Sequence, residues 1–379
     1  MIHNLRLKSI LGNFKIKDHT FEYDDFVARF FNMCLDEGME HGKIVPSRAF
    51  CSDESQGLPI ILITKHFSAF PFNHGVVGGI MAEGRNGAYA HHGKDLAIIQ
   101  ASHVGYEEST GHFGRYRRLQ TSDCHLSSNC GQIQATLDWY QKEYEFASEN
   151  TLLQRSGDQY LITIDKLLFK QKYKEGLFLN LAELVATSAD GDKNSPVKIL
   201  STAKVYQVSD ALVDFLKERD YQWSEDTAEP IGDSLRPDLF SFKRAIDPNN
   251  ANEQNLFQYM PWIVTSNEPM LSAAEVNVQV EFDKSYRSIV REPAYQDRNL
   301  IYIAGLNIDY SPEEGQLFSQ MQFVPWAMYI QHEDNTHRVL EQDELYERLM
   351  SYSNLNPKIT DMNEALLKTV GASSLQNAD

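Results

Sequence analysis

DLAIIQASHVGYEESTGHFGRYRRLQTSDCHLSSNCGQIQ, residues 95–134, combines a buried-strand pattern, a histidine, a Gly/Arg-rich loop and a cysteine ahead of a helix. From Leu96 to Val104 apolar and β-branched residues run almost unbroken, the pattern of a short strand covered on both faces. Alternation along it puts Ala97, Ile99, Ala101 and His103 on one side, with His103 near the carboxyl end. Farther on, Ser127, Ser128 and Asn129 offer capping side chains before the periodic apolar set Ile133, Leu137, Tyr140 and Tyr144. This spacing predicts Cys130 in the first turn of a helix, where unpaired N–H groups and the positive end of the helix dipole favour a thiolate.

Toward the N-terminus, Phe26, Phe30, Phe31 and Cys34 recur at helical spacing and Gly38 follows, which predicts an amphipathic helix over 24–37 with Cys34 in the core. Residues 44–50 read as a short apolar segment leading into Cys51-Ser52-Asp53-Glu54, and an extended chain there aims Cys51 and Asp53 the same way. Residues 58–72 carry conflicting signals: Pro59 opens helices, while Ile60, Ile61, Ile63 and Thr64 favour strand. The glycine-dense stretch 73–93, NHGVVGGIMAEGRNGAYAHHG, implies tight turns or close backbone approach and contains no phosphate-binding GxxxxGK[ST]. Beyond the Cys130 helix, strands are expected at 160–164 and 196–208 and helices at 177–187 and 210–219, the last capped by Ser209. The polar segment 223–254 reads as a surface connection and an internal boundary. Strand patterns resume at 256–264, 275–282, 300–308 and 317–330. The expected fold is therefore α/β, a single layered domain over residues 1–330 with a central mixed sheet flanked by helices. Residues 331–379 then form a charged, partly helical tail packed peripherally.

A chain of 379 residues with 42% hydrophobic content buries a sizeable core without staples. Its 53 acidic against 35 basic residues, a net charge of -18, speak against nucleic acid or an anionic membrane as partner. Four cysteines in so long a chain do not make a disulfide framework, and no apolar run approaches a membrane span of about 20 residues. With no signal-peptide pattern at the start, the expectation is a soluble, cytoplasmic protein. Metal binding or catalysis is the better use for Cys51, Cys124 and Cys130. Two thiolates with the His103 imidazole suit zinc and leave a fourth position free, although the long spacings equally fit isolated core cysteines and a hydrogen-bonded histidine.

The combination CSDE, GVVGGI, AYAHHG, DLAIIQASHVGY, GHFGRYRR and NCGQ, with IYIAGLNIDYSPEEGQLFSQMQFVPW near the end, resembles the low-carbon-dioxide-inducible B (LCIB) family, the theta-class carbonic anhydrases. The resemblance implies a zinc site like that of the beta class, held by Cys51, His103 and Cys130, with Asp53 as the nearby acid. Cys124 competes with Cys130, but only Cys130 is followed by the family's glycine. It further implies reversible hydration of carbon dioxide to bicarbonate and a proton, and a homodimer.

One position departs from that pattern. Beta-class sites pair the aspartate with an arginine two residues on, and here Ser55 stands there. Arg48, Arg85, Arg115 and Arg118 are the alternative sources of charge, and Arg118, in the GHFGRYRR stretch, is taken as the catalytic partner of Asp53. If no cation holds Asp53, the carboxylate can close the site as a fourth ligand. A zinc-bearing regulatory protein of the same fold is thus the second reading, since some members of the family lack activity. A different zinc hydrolase is a third, although HxE and PCxxC, the deaminase signatures, are absent. His91 or His92 is a candidate proton shuttle, and Glu107 and Glu108 are candidate acceptors for the free ring N–H of His103.

Overall fold

The apolar run around His103 forms one long strand, Asp95–Glu107, buried along nearly its whole length. The computed structural model describes residues 14–82, 95–117, 126–169, 175–187, 195–312, 316 and 319–371. The chain divides into two compact units. One is made from its two ends, up to Gln134 and from Met270 onward, and the other from residues 135–269.

The first unit is built on a mixed eight-stranded sheet. Its strands are β1 (Phe21–Glu22), β2 (Ile44–Ala49), β3 (Phe72–Asn73), β4 (Asp95–Glu107), β5 (His112–Phe113), β6 (Leu300–Tyr310), β7 (Met321–Gln331) and β8 (His337–Glu341). They lie in the order β1-β7-β6-β4-β2-β3, with β8 also paired to β7 and β5 to β4. Strands β6, β4, β2 and β3 are parallel, whereas β7 runs against β6, and β1 and β8 run against β7.

Parallel strands need cover on both faces. Helices α1 (Tyr23–Asp36), α2 (Gly57–Phe67) and, from the C-terminal part, α5 (Gln342–Met350) supply it on one side, while α3 (Gly131–Glu149) starts beside the sheet and α4 (Pro269–Arg291) covers the other face. Phe26, Phe30, Phe31 and Cys34 of α1 are buried in one cluster with Ala97, Ile99 and Ala101 of β4 and Ile301 and Ile303 of β6. Phe26 stacks on Phe323 with ring centroids 3.9 Å apart. The helix stops where Gly38 takes φ +92° and the Met39 N–H bonds back to the Cys34 carbonyl, a left-handed ending that glycine reaches without strain. On the opposite face, Phe282 of α4 stacks on Tyr302 at 5.3 Å, and Asn277 donates to Ser102 Oγ at 2.7 Å.

Several expectations change. Residues 275–282 belong to α4, not to a strand, and 256–264 form short helices. The sequence EVNVQVEF alternates because its polar members, Glu275, Asn277, Gln279 and Glu281, are buried along with Val276 and Val278. A helix buried all round loses the 3.6 period that would reveal it. Within 177–187 only Leu181–Leu184 is helical, and Gly176–Leu179 pairs as a strand with Phe240–Lys243. The expected boundary at 330 falls within β7, and β8 and α5 beyond it place Leu340, Leu345 and Leu349 in the core. Segment 223–254 lies inside the second unit, not between units. That unit carries a five-stranded antiparallel sheet around Gln159–Asp165 and a helix, Asp210–Glu218, whose cap Ser209 accepts the Leu212 N–H at 3.2 Å. No helix among the described residues is long and apolar enough to cross a membrane.

Candidate metal centre

Ligands in open α/β sheets gather at the carboxyl ends of the parallel strands. That edge of the first unit is where the chemistry collects. Cys51 lies two residues past β2, His103 lies in the last third of β4, and Cys130 immediately precedes α3. Helix α3 starts one residue later than the capping pattern implies, because Leu126–Ser128 pairs as a short strand with Arg115–Arg117. The Gln134 N–H nonetheless bonds the Cys130 carbonyl at 3.1 Å, so Cys130 sits at the helix mouth.

One ligand atom from each of Cys51, His103 and Cys130 lies within 4.8 Å of the others, and all three residues are buried. The two sulfurs are 3.8 Å apart. A tetrahedral ion with metal–sulfur bonds near 2.3 Å spans about that separation. His103 Nδ1 is held at 2.7 Å by Asp309 Oδ2, whereas Nε2 is buried without a hydrogen-bond partner. A buried ring nitrogen left bare beside two sulfurs is costly unless something binds it, and the soft-plus-imidazole donor set fits zinc. The residues present therefore fit a metal ion.

The thiols behave as a pair. The hydrogen bond from Cys130 and the His103 ring bring Cys51 down to about 4 despite its burial, while the Cys51 sulfur and burial push Cys130 up to about 12. One proton leaves easily and the other is held until a cation replaces it. Burial opposes a charged His103, but the Cys130 sulfur and the Asp309 carboxylate outweigh it and raise the ring well above its ordinary value. The Gly78 N–H also reaches Cys51 Sγ at 3.1 Å. The glycine-dense loop comes that close because its neighbours lack side chains: a Cβ on Gly75 would meet the Phe50 carbonyl at 2.3 Å, and one on Gly79 the Ala101 carbonyl at 2.3 Å.

Asp309, near the end of β6, is the residue sequence reasoning missed. Fully buried, it accepts from His103 Nδ1, from Ser55 Oγ at 2.8 Å, from Asn129 Nδ2 at 2.8 Å and from Gln56 Nε2 at 3.1 Å. Gln56 in turn accepts from Asn307 Nδ2 at 2.7 Å. One carboxylate thus ties together the stretch after Cys51, His103 itself and the neighbour of Cys130. Its signal was present in the LNIDY run, residues 306–310, where the pairing of Asn307 with His103 on adjacent parallel strands puts Asp309 one step along the same face. The acceptor for His103 is therefore Asp309, not Glu107 or Glu108. Glu107 instead accepts from Ser109 and Ser311, at 2.7 and 2.6 Å.

Asp53 caps the short turn Glu54–Gln56, its Oδ1 accepting the Ser55 N–H at 3.3 Å, and it is not part of the three-residue ligand group. Ser55 points its hydroxyl at Asp309. Arg115 is exposed on its short strand, and Arg48 has Tyr23 as its electrostatic neighbour. Arg118, Arg85, His91, His92, Cys124 and His125 lie outside the described residues.

No protein-family model matches the sequence, and no curated protein matches it either. Among solved structures, a crystal structure of a point mutant of PtLCIB4, a homolog of the limiting CO2-inducible protein LCIB, superposes with a TM-score of 0.50 over 84% of this chain and 92% of that one, at 11% identity. The unmutated PtLCIB4 gives a TM-score of 0.48 at 10% identity, over 89% of this chain and 99% of its own. The limiting CO2-inducible protein LCIB itself gives 0.43 at 12% identity, over 86% and 95%. What this chain shares with the PtLCIB4 mutant is the fold, an LCIB-like α/β architecture. Its own buried Cys51, His103 and Cys130 form a group that could hold a metal ion.

Proposed function

We propose that the chain is a zinc-dependent carbonic anhydrase of the LCIB kind, interconverting carbon dioxide with bicarbonate and a proton. The observation that carries this reading is the buried Cys51–His103–Cys130 group with His103 Nε2 left bare, at the carboxyl edge of an LCIB-like sheet. Zinc, when bound, supplies an activated water at neutral pH and Lewis-acid polarisation of a small substrate. The protein's own residues do the rest. Cys51 and Cys130 bring the negative charge that retains a dication, and Asp309 fixes His103 with Nδ1 as the donor so that Nε2 faces the sulfurs. Burial of all three side chains keeps bulk water from competing. Asp53, near the end of the Cys51 loop, is proposed as the acceptor that orients the attacking water, and Arg118 as its cationic partner.

A second reading has one specific observation in its favour. Ser55 stands where the beta class places an arginine, and its hydroxyl is committed to Asp309. Without a cation beside it, Asp53 orients water less well, and the chain becomes a zinc-bearing regulator with weak activity. Stopped-flow hydration of carbon dioxide with a pH indicator, on protein of measured zinc content, separates the two. A rate above buffer that disappears in Cys130→Ala supports the enzyme, and a zinc-replete protein no faster than buffer supports the regulator.

A further inference from the structure

The face of the sheet turned away from the metal centre carries a second feature. Tyr106 is three residues beyond His103 and Tyr310 is next to Asp309, so both project to the α4 side. Together with residues from the N-terminal segment, α1, α4 and α5 they line a cavity of about 1060 Å³ in the first unit. Part of its wall is aromatic, beside charged residues of the N-terminal segment: the Tyr106 ring lies 4.8 Å from Phe113 and 5.5 Å from Tyr310, and Phe21 packs 5.0 Å from Tyr346.

One polar group in this wall stands apart. Glu275 of α4 is 8% exposed and lines the cavity, yet its carboxyl has neither a hydrogen-bond donor nor a cation among the described residues. Other buried carboxylates of this unit are satisfied: Glu281 accepts the Met81 N–H at 2.8 Å, Glu107 accepts two hydroxyls, and Asp309 takes four side chains. Lys17 and Asp18 also line the cavity, and several of its other polar groups are already engaged. Tyr310 donates to Gln322, Gln322 donates to Glu22, and Lys15 pairs with Asp343 at 2.7 Å. Arg29 donates to the Met350 carbonyl at 3.0 Å. Burial alone pushes Glu275 up to about 7, which means that no neighbour offsets the cost of its charge. A buried acceptor with an open side toward a roomy aromatic cavity is completed by a ligand that brings the missing positive donor.

We propose that this cavity binds a small organic ammonium ion, its cationic nitrogen on the Glu275 carboxylate and its apolar body against the Tyr106, Phe113 and Tyr310 rings. The carboxylate supplies the charge, and the ring faces stabilise the cation further. The cavity volume suits a molecule of metabolite size. This site is independent of zinc and of the hydration chemistry, so it stands or falls apart from them.

The probe is phenethylamine, titrated into the full-length protein by isothermal calorimetry at pH 7.5, with 2-phenylethanol as the uncharged partner of the same shape. Phenethylamine should bind the parent at least 10-fold more tightly than 2-phenylethanol does. Glu275→Gln keeps the shape and removes the charge, and should weaken the amine at least 10-fold while leaving the alcohol unchanged. Phe113→Ala, at a partly exposed wall position, should weaken both. Equal affinity of the amine for parent and Glu275→Gln, equal affinity of amine and alcohol for the parent, or no heat with either probe, overturns the proposal.

Discussion

Changing Asp309 tests whether the metal centre is organised by a residue that does not touch the metal. Its Oδ2 takes three donors, His103 Nδ1 at 2.7 Å, Ser55 Oγ at 2.8 Å and Asn129 Nδ2 at 2.8 Å, while Gln56 is shared between both oxygens at 3.1 Å. Asp309→Leu strands four buried donors. At about 1–3 kcal/mol each, the loss approaches the whole stability of a domain, so this variant is not expected to fold. Asp309→Asn is the informative change. Its oxygen can take the Oδ2 position and keep three donors, leaving its amide against Gln56 as the one mismatched contact. Three bonds to an ion become bonds to a neutral amide, a loss of roughly 1 kcal/mol each, so the metal-free protein should unfold about 3 kcal/mol more easily in urea. Because His103 is then less firmly aimed, zinc affinity should fall about 10- to 100-fold, measured by competition with a chromophoric chelator. A variant that binds zinc within twofold of the parent while losing the same stability would show that Asp309 only supports the fold and does not prepare the site.

Four further outcomes follow from the same geometry. Alanine at Cys51, His103 or Cys130 should each abolish stoichiometric zinc, about one ion per chain by elemental analysis, whereas Cys34→Ala, in the apolar core under α1, should retain it. Asp53→Ala should keep zinc and slow hydration; loss of the metal, or hydration at the parental rate, refutes the proposed role. Glu275, whose folded value is raised to about 7, contributes stability that is present below its unfolded value near 4.5 and lost as pH rises through 7. Glu275→Gln should therefore match the parent at pH 4 and exceed it by about 3 kcal/mol at pH 8 in urea unfolding, and a constant difference across that range refutes the assignment. His74 has the opposite sign: burial takes it down to about 4, so its stabilising contribution is full above about 6.5 and falls by about 3 kcal/mol as pH drops to 4. His74→Gln should remove that acid sensitivity, as seen by comparing midpoints at pH 7 and pH 4.5.

How legible the molecule was in its sequence depended on whether a segment buries one face or all of itself. The helix bearing Phe26, Phe30, Phe31 and Cys34 keeps a charged outer side, and its ends fall within a residue of expectation. The strands through His103 and Ile303 are mostly apolar, and they too were readable, although the first runs on to Glu107, past the expected end at Val104. Helix α4 was not, because polar side chains such as Asn277 and Glu281 spend their hydrogen bonds inside the protein and so alternate with valine on equal terms. The run after Gly57 was undecidable for a related reason: its isoleucines favour strand, and the helix forms because Pro59 opens it and Ile63 and Phe67 find a core. At the metal centre, ligand types were readable as residues but their convergence was not, since it depends on sheet order. Asp309 escaped notice because nothing in one dimension says that β6 lies beside β4.

That strand order bears on how the chain is made. The three sulfur and nitrogen ligands are all synthesised by residue 130, but the parallel neighbour of β4 that carries Asp309 follows only after residue 300, once the entire 135–269 unit has emerged. Until then β4 has one long partner strand, β2, and an open edge of unpaired N–H and C=O groups beside reactive thiols. A nascent chain released at residue 269 would hold all three candidate ligands and still lack the carboxylate bonded to His103. If the group holds a metal, its capture is coupled to completion of the sheet, which favours loading late in folding over loading on the ribosome.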